Sequence, residues 1–173
     1  MKTYGSEPGE PQTDPLRVGI SEFAVSDGDE TMKSYGLGSC LAVGLWDPTN
    51  EIGGLAHVML PNGDNRDDGD RKPGKFADTA IRTMLRRIVE MGGDYTSVEA
   101  KITGGSEMFQ FDSFEDGVGE RNVLAARKEL EKLGVPVTAE DVGGERGRTV
   151  EFDAETGTLS IRTPNGDDPV KEL

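Results

Sequence analysis

"GLGSCLAVGLWDPTNEIGGLAHVMLP", residues 36–61, is the stretch from which the fold is read. "LAVGLWD" and "EIGGLAHVML" are apolar runs of strand length. The "DPTN" between them suits a tight turn, with Asp47 opening it and Pro48 at its second place. The two runs predict an antiparallel hairpin. With the turn centred between Pro48 and Thr49, Asp47 faces Asn50 and, counting outward, Cys40 faces His57. These are the only cysteine and the only histidine of the 173-residue chain. Directly opposed residues place their Cβ atoms about 4.5–5.5 Å apart, within reach of a shared proton. A bulge at Gly53 and Gly54 is the alternative, and it would send the two side chains to opposite faces.

A thiol beside an imidazole is a design for acyl chemistry. A free thiol has a pKa near about 8.5, which a neighbouring imidazolium lowers towards a standing nucleophile. "SYGLGS" (34–39) reads as a loop before Cys40, in which Gly36 and Gly38 let the backbone come close to a substrate, and the N–H groups around Ser39 and Cys40 are placed to receive a developing oxyanion. A thiolate attacks a carboxamide or ester carbon, His57 protonates the leaving group, and water hydrolyses the thioester. Ser34 and Ser39 are both close enough in sequence to orient the imidazole, and the residues alone do not choose between them.

Composition limits what else the chain can be. With 34% hydrophobic and 30% charged residues it supports one domain with a real core. One cysteine rules out an internal disulfide, and one cysteine with one histidine is too few for a thiolate or imidazole zinc cage, so neither metal nor cofactor is expected. The formal charge of −14 opposes nucleic acid and anionic membrane surfaces. It also suits a high-salt cytoplasm, where the Debye length falls to about 3 Å near 1 M. No run approaches the roughly 20 apolar residues of a membrane helix, and the N-terminus lacks the apolar centre of a signal peptide, which points to a cytoplasmic protein.

Residues 1–15 and 165–173 are polar and Pro/Gly-rich and read as flexible tails around an ordered domain at 16–164. "NGDNRDDGDRKPG" (62–74) reads as a surface loop. Beyond it, "DTAIRTMLRRIVEMGG" has helical spacing, with Asp78 as cap and Gly92 as stop, and "RNVLAARKELEKLG" repeats the pattern up to Gly134. Residues 97–103 and 135–142 are strand-like, and "RTVEF" and "TLSIRT" flank "DAETG" as a hairpin. The order predicts an α+β fold, a layered α/β sandwich-like single domain with mixed or antiparallel sheets and two main helices.

"LGSCLAVGLWDPTNEIGGLAHVMLP", followed in order by "KFADTAI" (75–81), "KITGGSEMF" (101–109), "VGERN" (118–122) and "DVGGERGRTVEF" (141–152), resembles the CheD family of chemoreceptor glutamine deamidases over residues 18–163. The resemblance implies a fold related to the deamidase domain of cytotoxic necrotising toxins. It also implies hydrolysis of glutamine side chains on methyl-accepting chemotaxis receptors, releasing ammonia. By position Cys40 matches the family nucleophile and His57 its general base. The family's third catalytic residue is a threonine, and Ser34 stands in its place, keeping the hydroxyl without the methyl group that stiffens χ1. The family also binds a CheC-type phosphatase of the response regulator, which offers a second role as a binding regulator.

Other motifs have plainer readings. Gly104, Gly105 and Ser106 either line the substrate groove or form a tight turn. "GGERGR" (143–148) lacks the Walker ending and reads as a turn. Glu120, Arg121 and Asn122 open a helix, where an acidic residue is expected on dipole grounds. Trp46 is assigned to core packing. Asp64, Asp67, Asp68 and Asp70 match no EF-hand spacing and read as solvated.

Overall fold

The computed structural model describes residues 14–63, 72, 74–107, 117–163 and 170–173. The chain runs β1 (Leu16–Arg17), β2 (Phe23–Ser26), β3 (Thr31–Leu37), β4 (Leu41–Asp47), β5 (Ile52–Val58), α1 (Ala77–Glu90), a short 3-10 turn at Tyr95–Ser97, β6 (Glu99–Gly104), α2 (Val118–Leu133), β7 (Val137–Val142), β8 (Arg148–Asp153), β9 (Leu159–Arg162) and β10 (Lys171–Glu172). Two five-stranded mixed sheets result, one ordered β1-β3-β8-β9-β10 and the other β2-β5-β4-β6-β7. This is the α+β domain with two helices that the pattern of elements predicts.

Period-two alternation along β4 builds the layers. Leu41, Val43 and Leu45 join Ala56 and Val58 of β5 in a core shared with Ile81, Met84 and Ile88 of α1 and Ala126 and Leu130 of α2. Ala42 and Trp46 face the other way, into a second core with Met32, Leu55, Val150 and Phe152. Both helices therefore cover one face of the second sheet, and its other face packs on the first sheet. Gly44 and Gly53 lack side chains at the point where the Phe152 ring seats, because a Cβ on either would lie 2.9 Å from that ring.

The central hairpin forms, but its register is offset from the predicted one. Asp47 pairs with Ile52, Ala42 with His57 and Leu41 with Val58. The connecting loop is therefore four residues long, Pro48 to Glu51, with Glu51 in the left-handed region at φ 53°. The buried Asp47 carboxylate accepts hydrogen bonds from the backbone N–H of Thr49, Asn50 and Asp94 and from the Asn50 side chain. Burial alone would raise its pKa, but the bonds from Asn50, Asp94 and Thr49 hold it below the ordinary carboxylate value. An Asx cap of this kind favours the longer loop over a two-residue turn. The ladder continues through Gly53 and Gly54 without a bulge.

Several other expectations need correction. "SYGLGS" is not a loop throughout: Ser34 to Leu37 belong to β3, which pairs with β8 and changes register between Ser34 and Leu37. Asp78 is not the cap of α1. That place holds Phe76, and the Asp78 carboxylate accepts instead from the N–H groups of Gly63 and Thr79. Of the tail expected at 165–173, residues 165–169 lie outside the described residues, and the remainder is not loose: Lys171–Glu172 adds β10 to β9 and Leu173 exchanges backbone bonds with Leu159. Gly134 does stop α2, at φ 73°, and β8 and β9 form the expected hairpin. The expected N-terminal tail lies outside the described residues apart from 14 and 15, as do Asp64, Asp67, Asp68 and Asp70.

Candidate active site

Cys40 does not face His57 directly. It sits one residue before β4, while Ala42 occupies the place opposite His57. The offset nevertheless preserves the face. Ala42 and His57 are cross-strand partners, and Cys40, two residues before Ala42, points to the same side as both. The cysteine packs against the core between the two sheets. The sole thiol and sole imidazole are thus diagonal neighbours on one face, a relation that spans roughly 7–8 Å between positions, and no hydrogen bond joins them, since both ring nitrogens lack a partner among the described residues.

His57 is 1% exposed, and neither ring nitrogen completes a hydrogen bond among the described residues. Burial pushes its pKa down, and the nearby carbonyl of Val18 pulls the other way without forming a hydrogen bond of good geometry. The same carbonyl accepts a 2.6 Å bond from the buried Ser34 hydroxyl. Ser34 thus approaches the imidazole through Val18, a residue whose contribution comes from its backbone and leaves no signal in the sequence. Ser39, the other serine considered as an orienting residue, is exposed, and its carbonyl is held by α2.

Cys40 is a free, half-buried thiol, and burial pushes its pKa up. Burial thus favours the neutral thiol and the neutral imidazole over the ion pair expected from the predicted cross-strand opposition. Because the chain has a single cysteine, alkylation by iodoacetamide reads this directly. The rate should be low at neutral pH and keep climbing beyond pH about 8.5, because a raised pKa moves thiolate formation to higher pH. A plateau reached by pH 7 would show that the ion pair exists at rest.

Three consecutive carbonyls in the cysteine loop are pinned. That of Gly38 accepts from both the N–H and the hydroxyl of Ser106, at 2.9 Å each. That of Ser39 accepts from the Asn122 side chain, and that of Cys40 from the N–H of Gly105. Gly104, Gly105 and Ser106 are all buried, so they do not line an open groove; they buttress the loop from behind, and the Ser106 hydroxyl is already used. A peptide plane holds its C=O and N–H in opposite directions. The pinned carbonyls therefore turn the N–H groups of Ser39 and Cys40 away from the buttress, and neither finds a backbone acceptor among the described residues. Gly36, at φ 67°, and Ser39 are exposed, and Gly38 is partly exposed.

No cluster of three or more His, Cys, Asp or Glu that could hold a metal ion occurs among the described residues. No helix among them is long and apolar enough to cross a membrane.

Comparison with known proteins matches residues 59–163 to the family model described as CheD chemotactic sensory transduction. The chain is 42% identical over 158 residues to the chemoreceptor glutamine deamidase CheD of Thermotoga maritima, covering 90% of this chain and 98% of that protein. It is 41% identical over 152 residues to the protein of the same name from Halalkalibacterium halodurans, covering 87% and 94%. The Bacillus subtilis protein of that name is 39% identical over 150 residues, covering 86% and 90%.

Proposed function

The chain belongs to the CheD family, and we propose that it is a protein-glutamine deamidase acting on methyl-accepting chemotaxis receptors. The observation that carries this reading is the placement of the only cysteine and the only histidine on one face of adjacent strands, beside two backbone N–H groups turned away from their buttress.

Cys40 attacks the side-chain carboxamide carbon of a receptor glutamine as His57 takes the thiol proton. The oxyanion that forms is received by the N–H groups of Ser39 and Cys40. His57 then delivers the proton to the departing nitrogen, ammonia leaves, and a thioester remains. Water attacks the thioester as His57 takes its proton; the carbon–sulfur bond breaks, leaving a glutamyl side chain on the receptor, and His57 returns the proton to the Cys40 sulfur. A neutral resting pair suits this sequence. The imidazole is already in the base form, and the proton moves as the carbon–sulfur bond forms. Ser34 is proposed as the third catalytic member, fixing the Val18 carbonyl that faces the imidazole. Gly36, Gly38 and Ser39 give the substrate a close approach to the backbone.

A CheC-type phosphatase is the second proposed partner. Ile20 and Met59 are exposed apolar residues beside the His57 end of β5, and they offer contacts for either protein. The surface charge supports a cytoplasmic protein adapted to salt and gives no attraction to nucleic acid. Mixing the protein with a purified receptor cytoplasmic fragment tests the principal reading. Ammonia should appear in step with the mass change of glutamine to glutamate, and a fragment left unmodified by the active-concentration protein would defeat it.

A further inference from the structure

We propose that Asn122 is a positioning residue for deamidation, aiming the Cys40 backbone N–H at the oxyanion without touching the substrate. The proposal rests on the reading of Cys40 as nucleophile.

Asn122 lies in the second turn of α2 and is fully buried. Its Nδ2 donates to the carbonyl of Ser39 at 2.8 Å and to the carbonyl of Met59 at 3.2 Å. The first carbonyl immediately precedes the nucleophile, and the second lies two residues beyond His57. The β4–β5 ladder ends at the pair Leu41 and Val58. Cys40 and Met59 are the next positions outward, and Asn122 supplies the cross-link where the backbone ladder stops.

The bond to Ser39 fixes the plane of the peptide joining it to Cys40, and so fixes the direction of the Cys40 N–H. One compact side chain with two hydrogens on a single nitrogen can grip both carbonyls, and only an amide provides that at this length. The side-chain oxygen is buried with no partner among the described residues. A residue present for packing alone would not leave a buried acceptor unpaired, since that carries a desolvation cost. The arrangement uses the donors and tolerates the orphaned oxygen.

Asn122→Asp keeps the shape, removes both donors and sets an acceptor against two carbonyls, while Asn122→Ala removes the donors without adding charge. Three readouts are needed: ammonia release from a receptor cytoplasmic fragment, iodoacetamide alkylation of Cys40 across pH, and thermal melting. Both variants should lose about 10²-fold in kcat, the order seen when an oxyanion donor is lost. KM and the alkylation profile should stay within about twofold of wild type, because alkylation forms no oxyanion. Three results overturn the assignment alone: kcat within twofold of wild type, an equal fall in alkylation and kcat, or loss of the folded state in both variants. An inactive wild type overturns the deamidase reading and this assignment with it.

Discussion

A Cys40→Ala protein should release no ammonia from a receptor fragment, a loss of at least about 10⁴-fold, because removing the proposed covalent nucleophile leaves only substrate binding and the oxyanion donors. Its melting temperature should stay within a few degrees of wild type, since a half-buried thiol at the end of a strand contributes little packing. His57→Leu should lose about 10²–10⁴-fold, the range for removal of a general acid–base group. Its effect on stability should have the opposite sign to that of most core substitutions. Two buried ring nitrogens without partners cost desolvation energy that an apolar side chain of similar size does not incur. His57→Leu is therefore expected to melt no lower than wild type. Chemical denaturation of the two variants beside the ammonia assay checks both halves. A His57→Leu protein that is strongly destabilised would mean that the imidazole is bonded in solution and has a structural role as well.

The sequence carries the face shared by Cys40 and His57 more securely than it carries their register. Alternation of apolar residues along β4 and β5 fixes which side chains share a layer, and an offset by whole pairs leaves that layer unchanged. The register itself depends on the Asp47 carboxylate capping a four-residue loop, including an N–H from Asp94, which is distant in sequence. No local rule anticipates that bond. β3 is missed for a similar reason: "SYGLGS" contains two glycines and suggests a loop, yet Ser34 and Leu37 pair with β8 on either side of a register shift. Gly104 to Ser106 look suited to a groove from sequence because small residues permit close approach, and the approach proves to be to the protein's own cysteine loop. Asn122 did leave a signal. It lies at helical spacing from Ala126 and Leu130, on the buried stripe of α2, where a polar residue calls for a partner.

Gly104→Ala should be the most damaging small substitution behind the site. Gly104 adopts φ +111°, outside the region L-residues reach readily, and a Cβ there would lie 2.5 Å from the carbonyl oxygen of Cys40 and 3.3 Å from the Cα of Leu41. Both neighbours are backbone, so no rotamer change relieves the contact; the cysteine peptide or β6 has to move. Gly104 is also the cross-strand partner of Leu41, and its carbonyl accepts from the N–H of Gly143, which resists that movement. The expected cost is about 3 kcal/mol or more, combining backbone strain with displacement of a packed ladder. Activity should fall more than tenfold even where the variant is folded, because a small misplacement of a nucleophile is expensive. Gly134→Ala is the matched control. It has positive φ, 73°, but nothing lies within 4 Å of its added Cβ, so strain alone should cost about 1 kcal/mol and leave ammonia release unchanged. Urea denaturation of the two variants separates strain from steric displacement. Equal destabilisation would show that the Cys40 loop yields freely, and the rigid buttress behind Cys40 would have to be abandoned.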